Sequence, residues 1–181
     1  RERLSLSYAG KHNQLLMDES NINVWYQLGS PKQDVRQTGL ISPPYNYNRT
    51  RNNTVEFESK GLNFTGKKTL PDSSHKLTYG FDYSQTDGSD TLISQTVDGS
   101  PSVSSYAPAG SSQLSGAFIQ DDFLIGNLNV IPSLRVDNWQ FKSINSKNSE
   151  GAISPSISFI YLENKALMPF ANFGKGFRAP T

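Results

Sequence analysis

The sequence alternates apolar and polar residues with period two in one segment after another, which is the pattern of strands with two unlike faces. The clearest case places Leu77, Tyr79, Phe81 and Tyr83 on one side of a strand and Thr78, Gly80, Asp82 and Ser84 on the other. Leu4, Leu6 and Tyr8 interleave with Ser5, Ser7 and Ala9, and Ile22, Val24, Tyr26 and Leu28 with Asn23, Trp25 and Gln27. Further on, Ala117 and Ile119 oppose Gly116, Phe118 and Gln120, while Leu128, Val130, Leu134 and Val136 oppose Asn129, Ser133, Arg135 and Asp137. Ile153, Ile157, Phe159 and Tyr161 oppose Ser154, Ser156 and Ser158. In the third segment Val55 and Phe57 alternate with Glu56 and Glu58 before Leu62 and Phe64 take over, so a bulge is expected near Gly61. With a last strand over residues 166–177, about eight strands and no helix are expected.

Strands of this kind hide their apolar faces either against a second sheet or in lipid. Only 35% of the residues are apolar and the mean hydropathy is -0.53, yet aromatics reach 11%. Disordered chains are poor in aromatics, so disorder is set aside. No apolar run approaches the ~18 residues of a membrane helix, which leaves a closed barrel as the way to span a bilayer. Short turns are expected at Leu70-Pro71-Asp72-Ser73-Ser74, Gly126-Asn127 and Glu163-Asn164-Lys165, and long Pro, Gly, Ser and Asn-rich loops over 29–53, 85–111 and 142–151. Short turns on one rim and long loops on the other suit an outer-membrane barrel, with the turns periplasmic. Tyr83, Phe123, Trp139, Phe141, Tyr161 and Phe170 lie near inferred strand ends, where aromatic girdles belong. A soluble sandwich alternates too, but it does not require aromatics at strand ends. The expected fold class is therefore all-β, an antiparallel transmembrane β-barrel segment.

Charge and residue chemistry exclude several functions. The 17 basic and 16 acidic residues leave a net charge of +1, with no electrostatic footprint for nucleic acid. There is no Cys, hence no disulfide or thiolate metal site. Asp121 and Asp122 are adjacent, so on a strand they point to opposite faces and cannot form an acid/base pair. No Ser, His and acid grouping falls on one rim, and no catalytic residue or metal ligand is assigned; an outer-membrane hydrolase is the enzyme alternative. His12 and His75 fall at turns on the periplasmic rim, the wrong side for capturing an external ligand, and read as solvated turn residues. Gly174-Lys175-Gly176-Phe177-Arg178-Ala179 formally fits G-x-G-x-x-A, but Pro180 denies the helix that a dinucleotide site needs. Asp87-Gly88-Ser89-Asp90 reads as a plain turn rather than a Ca²⁺ loop.

Five pieces in order carry a family resemblance. They are His75-Lys76-Leu77-Thr78-Tyr79-Gly80-Phe81-Asp82-Tyr83; Ala117-Phe118-Ile119-Gln120-Asp121-Asp122-Phe123, similar to an F-x-Q-D-(E/D)-aromatic strand end; Pro132-Ser133-Leu134-Arg135-Val136-Asp137, similar to P-x-L-R-x-D; Ser154-Pro155-Ser156-Ile157-Ser158; and Gly176-Phe177-Arg178-Ala179-Pro180-Thr181, which matches a Phe-Arg-Ala-Pro box. Together, over about residues 77–181, they resemble TonB-dependent outer-membrane receptors, particularly the haem, haemoglobin and transferrin/lactoferrin-type branch. The resemblance implies that residues 1–181 are a partial barrel domain, about eight strands of a type that closes with about 22. It places the plug domain, the TonB box and the other strands elsewhere in a longer protein.

The resemblance also implies a function: active transport of haem iron across a bacterial outer membrane, with haemoglobin as one source. Haem would be the transported ligand, with no intrinsic cofactor. The implied partners are the TonB energising complex acting through the plug, haem or a haemoprotein at the cell surface, and outer-membrane lipid. In haem-uptake members a His that ligates the iron follows the Phe-Arg-Ala-Pro box and precedes an Asn-Pro-Asn-Leu box; this sequence contains neither.

Phe177, Arg178, Ala179 and Pro180 are the residues that the resemblance singles out. Either Arg178 and the Pro180 bend shape the loop that carries the iron ligand, or Pro180 merely ends strand pairing and Arg178 meets a lumenal carboxylate. Tyr45, Tyr47 and Tyr106, in the long external stretches, are candidate contacts for haem or a protein partner, with loop self-packing as the alternative. A ferric-siderophore receptor of the same fold and a small structural or adhesive outer-membrane barrel are the competing functions.

Overall fold

The computed structural model describes residues 2–12, 15–42, 45–71, 74–96, 102–105, 109–163 and 168–177. The regular structure among them is all strand: β1 (Glu2–Lys11), β2 (Glu19–Gly29), β3 (Lys32–Ser42), β4 (Tyr45–Thr69), β5 (Lys76–Thr96), β6 (Ser102–Ser104), β7 (Gly110–Ile125), β8 (Leu128–Ser143), β9 (Lys147–Tyr161) and β10 (Phe170–Gly174). They form one antiparallel sheet in the order β1-β2-β4-β5-β7-β8-β9-β10, with β3 on β4 and β6 on β5.

The described strands occupy eight columns, the number expected. Gly29 faces Phe57 and Lys32 faces Thr54 in one unbroken register, so β3 continues β2 along β4. The break falls at Ser30 and Pro31 because proline has no N–H to give to the ladder, although its carbonyl accepts from the Val55 N–H at 3.0 Å. Likewise β6 lies along β5 beyond β7, with Leu92 facing Ser104 where Gly88 faces Gly110.

One sheet face is apolar and uncovered. Tyr8, Ile22, Phe64, Phe81, Ala117, Val136 and Ile153 are successive ladder partners across seven columns. Leu6 is 75% exposed and Ile153 59%, while the buried hydrophobic residues among those described are only Leu92, Val130 and Trp139. No second sheet packs on this face among the described residues, so the sandwich alternative fails and lipid is the solvent that the face requires.

The apolar stretch also slides toward the turn rim from Ile22–Leu28 on β2 to Ile153–Tyr161 on β9. The shift is about seven residues over five strand steps; at ~3.3 Å per residue and ~4.8 Å per strand this is a tilt of roughly 44°. Barrel strands tilt by about that much.

Three expectations are corrected. The first concerns the long loops. β4 runs for 25 residues and β5 for 21, against the ~9–11 that cross a bilayer. Only Ile144, Asn145 and Ser146 separate β8 from β9. Within 29–53, β3 and the first part of β4 are strand, and they, like the outer ends of β5, β8 and β9, run on past the membrane. Backbone pairing persists there without a continuous apolar face, which is why composition alone suggested loop. Tyr45 and Tyr47 are accordingly strand residues of β4, opposite Ser42 and Gly39, not loop residues.

The second correction is at Gly61, which carries no bulge. Trp25, Gly61 and Ser84 stay in register with both neighbouring strands. Val55 and Phe57 simply continue the face opposite Leu62 and Phe64, because beyond the bilayer the outer face no longer has to be apolar. The third is the girdle: Trp139, Phe141 and Phe170 alternate onto the lumenal side, whereas Tyr83, Phe123 and Tyr161 stand on the lipid side.

The short-turn rim is tied by side chains. Gly126, at φ 61°, takes the left-handed conformation that a two-residue hairpin favours. Asp18 lashes the β1–β2 turn to β4, with Oδ1 accepting from Lys68 Nζ at 2.7 Å and Oδ2 from the Thr69 N–H at 2.7 Å. These bonds, Lys68 first, hold its carboxyl below the ordinary value of 3.8. A lowered folded-state pKa contributes stability that is present above 3.8 and lost as the pH falls through the lower folded value. Amide protection in the 15–18 turn, taken relative to the intrinsic exchange rate at each pH, should therefore fall below about pH 4, and Asp18→Asn should show the lower protection at neutral pH too. Equal exchange in the two proteins at neutral pH would remove Asp18 as the tether.

Candidate functional site

The second face of the sheet is polar, and by exclusion from lipid it lines the barrel interior. One ladder row reads Asn23, Asn63, Asp82, Gly116, Asp137 and Ala152. Its centre is an ionic cluster. Arg135 Nε donates to Asp137 Oδ1 at 2.8 Å, and Nη2 donates to Asp82 Oδ2 at 3.0 Å; Nη1 lies 2.8 Å from Asp82 Oδ1. The guanidinium thus bridges β8 to β5 across β7, and it does so because Gly116 has no side chain: a Cβ there would overlap both the guanidinium and Asp137 Oδ1. Asp137 is 6% exposed. Planar Arg suits two carboxylates at once, as Lys would not.

Aromatic rings occupy the outer third of the same face, each laid over a glycine on the next strand. Trp25 lies over Gly61, Phe57 over Gly29 and Phe141 over Gly110. Trp139 is buried, donates from Nε1 to Ser112 Oγ at 3.2 Å, and lies parallel to Phe141 with ring centroids 6.3 Å apart and planes at 7°. Gly29, Phe57, Gly88 and Gly110 form one ladder row at this level. An open cavity of about 690 Å³ touches these four residues and also Glu2, Glu56, Glu58 and Asp87.

Of the residues expected to act, Phe177 is half-buried just beyond β10, where the Lys175 N–H still donates to the Pro155 carbonyl at 3.0 Å. Arg178, Ala179, Pro180 and Tyr106 lie outside the described residues. His12 Nε2 is 2.8 Å from Ser20 Oγ, and His75 Nδ1 is 2.6 Å from Asp121 Oδ2 with its ring stacked on Phe123. Both histidines sit at the short-turn rim, as expected. Asp121 and Asp122 face opposite sides, and the described residues assemble no catalytic grouping. Arg135 stood in the sequence inside P-x-L-R-x-D, but its partner Asp82 is far off in the chain. Trp25 and Phe57 were placed on strands by their alternation, but nothing in the sequence grouped them with the row glycines, because only strand register brings them together.

A family model described as "TonB dependent receptor-like, beta-barrel" matches residues 1–181. No curated protein matches the chain. Among solved structures, the ferric citrate transporter FecA in its unliganded form is similar with a TM-score of 0.68 at 15% identity, covering 95% of this chain and 26% of that one. The copper transporter OprC gives 0.71 at 14% identity, over 90% of this chain and 27% of that one. P. aeruginosa FpvA bound to heterologous pyoverdines gives 0.67 at 12% identity, over 90% and 24%. The chain thus spans about a quarter of the length of these proteins, and at such identities the likeness is one of fold.

Proposed function

This chain belongs to the TonB-dependent receptor β-barrel family of the outer membrane, and from that premise we propose that it is part of the wall of a receptor that imports haem iron. The observation that carries transport is the two-faced sheet: an apolar band for lipid on one side, and on the other a polar and aromatic lining that runs outward past the bilayer. The haem reading rests on the ordered strand motifs and on the box begun by Phe177. In this reading the outer hairpins and the lumenal residues bind ligand from outside, and movement of a plug, driven by the TonB complex, releases it inward. Residues 1–181 supply binding surface and barrel wall; no enzymatic step is assigned to them.

A ferric-siderophore receptor is the second reading, favoured by similarity to proteins described with ferric citrate and pyoverdines. The two separate in a strain lacking the receptor gene and grown on a single iron source. The full-length receptor should restore growth on haem or haemoglobin, and only where TonB is intact. Growth restored by a ferric siderophore alone would replace haem with the second reading, and growth without TonB would end both.

A further inference from the structure

We propose that the outward face of β7, β8 and β9, just beyond the apolar band, docks the phosphorylated sugar headgroup of a membrane glycolipid. The chain lies in the outer membrane, so this face meets the headgroup layer of the outer leaflet. From Ser111 to Ser115, Asn138 to Lys142 and Lys147 to Gly151 the outward positions carry no carboxylate and no apolar side chain. Asn138, and above it Gln113 with Gln140, lead outward to Lys142 and Lys147.

The two lysines are direct ladder partners, and a closed turn fixes them there: the Ser143 N–H donates to the Ser146 carbonyl at 2.7 Å. Both are exposed, and neither takes part in an ion pair among the described residues. Like charges directly opposite on a strand pair repel. An anion held between them turns that repulsion into a two-sided grip. Lys60, the outward lysine nearest the band on β4, differs, because Glu58 lies 3.9 Å from it and Asp87 is the ladder partner of Glu58. The outward face is thus acidic over β4 and β5 and basic over β8 and β9, and its field directs an anion to the second sector.

Height selects the kind of lipid. Val136 and Ile153 are the last apolar outward residues on β8 and β9, and Lys142 and Lys147 lie six positions farther along. At ~3.3 Å per residue and a tilt of roughly 44°, that is about 14 Å beyond the hydrocarbon. Phospholipid headgroups reach only ~5–8 Å from it, so their phosphates stop near the level of Asn138. A phosphorylated oligosaccharide spans the whole height, with its hydroxyls against Asn138, Gln113 and Gln140 and a phosphate between the lysines.

The probe is lipopolysaccharide with a phosphorylated inner core, labelled and titrated in detergent against the purified full-length receptor. Binding should be saturable and should weaken as salt is added. Changing both Lys142→Gln and Lys147→Gln should weaken it roughly thirtyfold, and either alone roughly fivefold, as basic residues at an anionic lipid surface do. Lys60→Gln, in the acidic sector, should leave it unchanged. The same lipid stripped of its core phosphates should bind the parent as weakly as the intact lipid binds the double variant. Phosphatidylglycerol should bind parent and double variant alike. Heat-modifiable migration on gels checks that each variant is folded; if the double variant does not fold, the two single variants are read in its place. Folded lysine variants that bind lipopolysaccharide like the parent would overturn the site. Phosphatidylglycerol binding that falls as far in the double variant would overturn the glycolipid as its occupant. None of these measurements involves an iron source, so failure here leaves the transport reading where it stands.

Discussion

Arg135→Met is expected to lower the stability of the barrel by about 3 kcal/mol, the largest effect of a single substitution on the lumenal face. Arg135 is the cation between Asp82 and Asp137, and the Asp137 side chain is only 6% exposed. Removing the guanidinium leaves two carboxylates near each other with Gly116 between their strands, without the charge that offset their desolvation. Deleting one member of a buried ion pair costs more than the pair contributes, because the remaining charge is stranded. The cluster is partly open, with Asp82 30% and Arg135 35% exposed, which places the loss at the lower end of the usual range.

The measurement is the urea midpoint of the full-length receptor in lipid vesicles. Adding Asp82→Asn and Asp137→Asn to Arg135→Met should recover about half of the loss, since amides leave no stranded charge. If Arg135→Met unfolds at the parent's midpoint, the cluster is not a structural tie. If the triple variant is no more stable than the single, the loss comes from packing over Gly116 instead.

Leu134→Arg is the second large effect expected, about 2–4 kcal/mol if its level is near the bilayer midplane. Leu134 stands on the apolar face, 43% exposed, between Ile119 and Pro155 on the neighbouring strands. An Arg there must be placed in hydrocarbon. The same change one row away on the other face, Gln120→Arg, should cost under about 1 kcal/mol, because lumenal positions are wet. The pair of variants reads the face assignment directly. Equal costs in lipid vesicles, or a greater cost at Gln120, would mean that the lipid and lumenal sides had been exchanged.

Most of the membrane-level architecture was legible in the chain, for a physical reason. Within the bilayer every outward residue must be apolar and most inward ones are wet, so strands such as Leu77 to Tyr83 announce both their period and their faces. Outside the bilayer that constraint lapses. The β3–β4 ladder, rich in Asn, Arg and Thr, therefore looked like loop although its backbone pairs in register from Lys32 to Leu40. The same lapse made the change of pattern near Gly61 look like a bulge. Trp139 and Phe141 were misread as girdle residues because an aromatic near a strand end can serve either face.

The site was much less legible. Arg135 lies in a recognisable motif, yet nothing local says that it reaches Asp82 or that Gly116 makes way for it. Gly29, Gly88 and Gly110 look like ordinary loop glycines in the sequence.

By itself, then, the sequence determined the fold class, the number of columns, the lipid and lumenal faces and the rim that carries the short turns. Each of these follows from side-chain alternation and turn chemistry acting over a few residues. The tertiary structure alone decided how far the strands continue beyond the membrane, how they tilt, and which distant residues share a row. Those depend on register, a backbone property summed over many hydrogen bonds between segments far apart in the chain, and no local pattern of side chains encodes it.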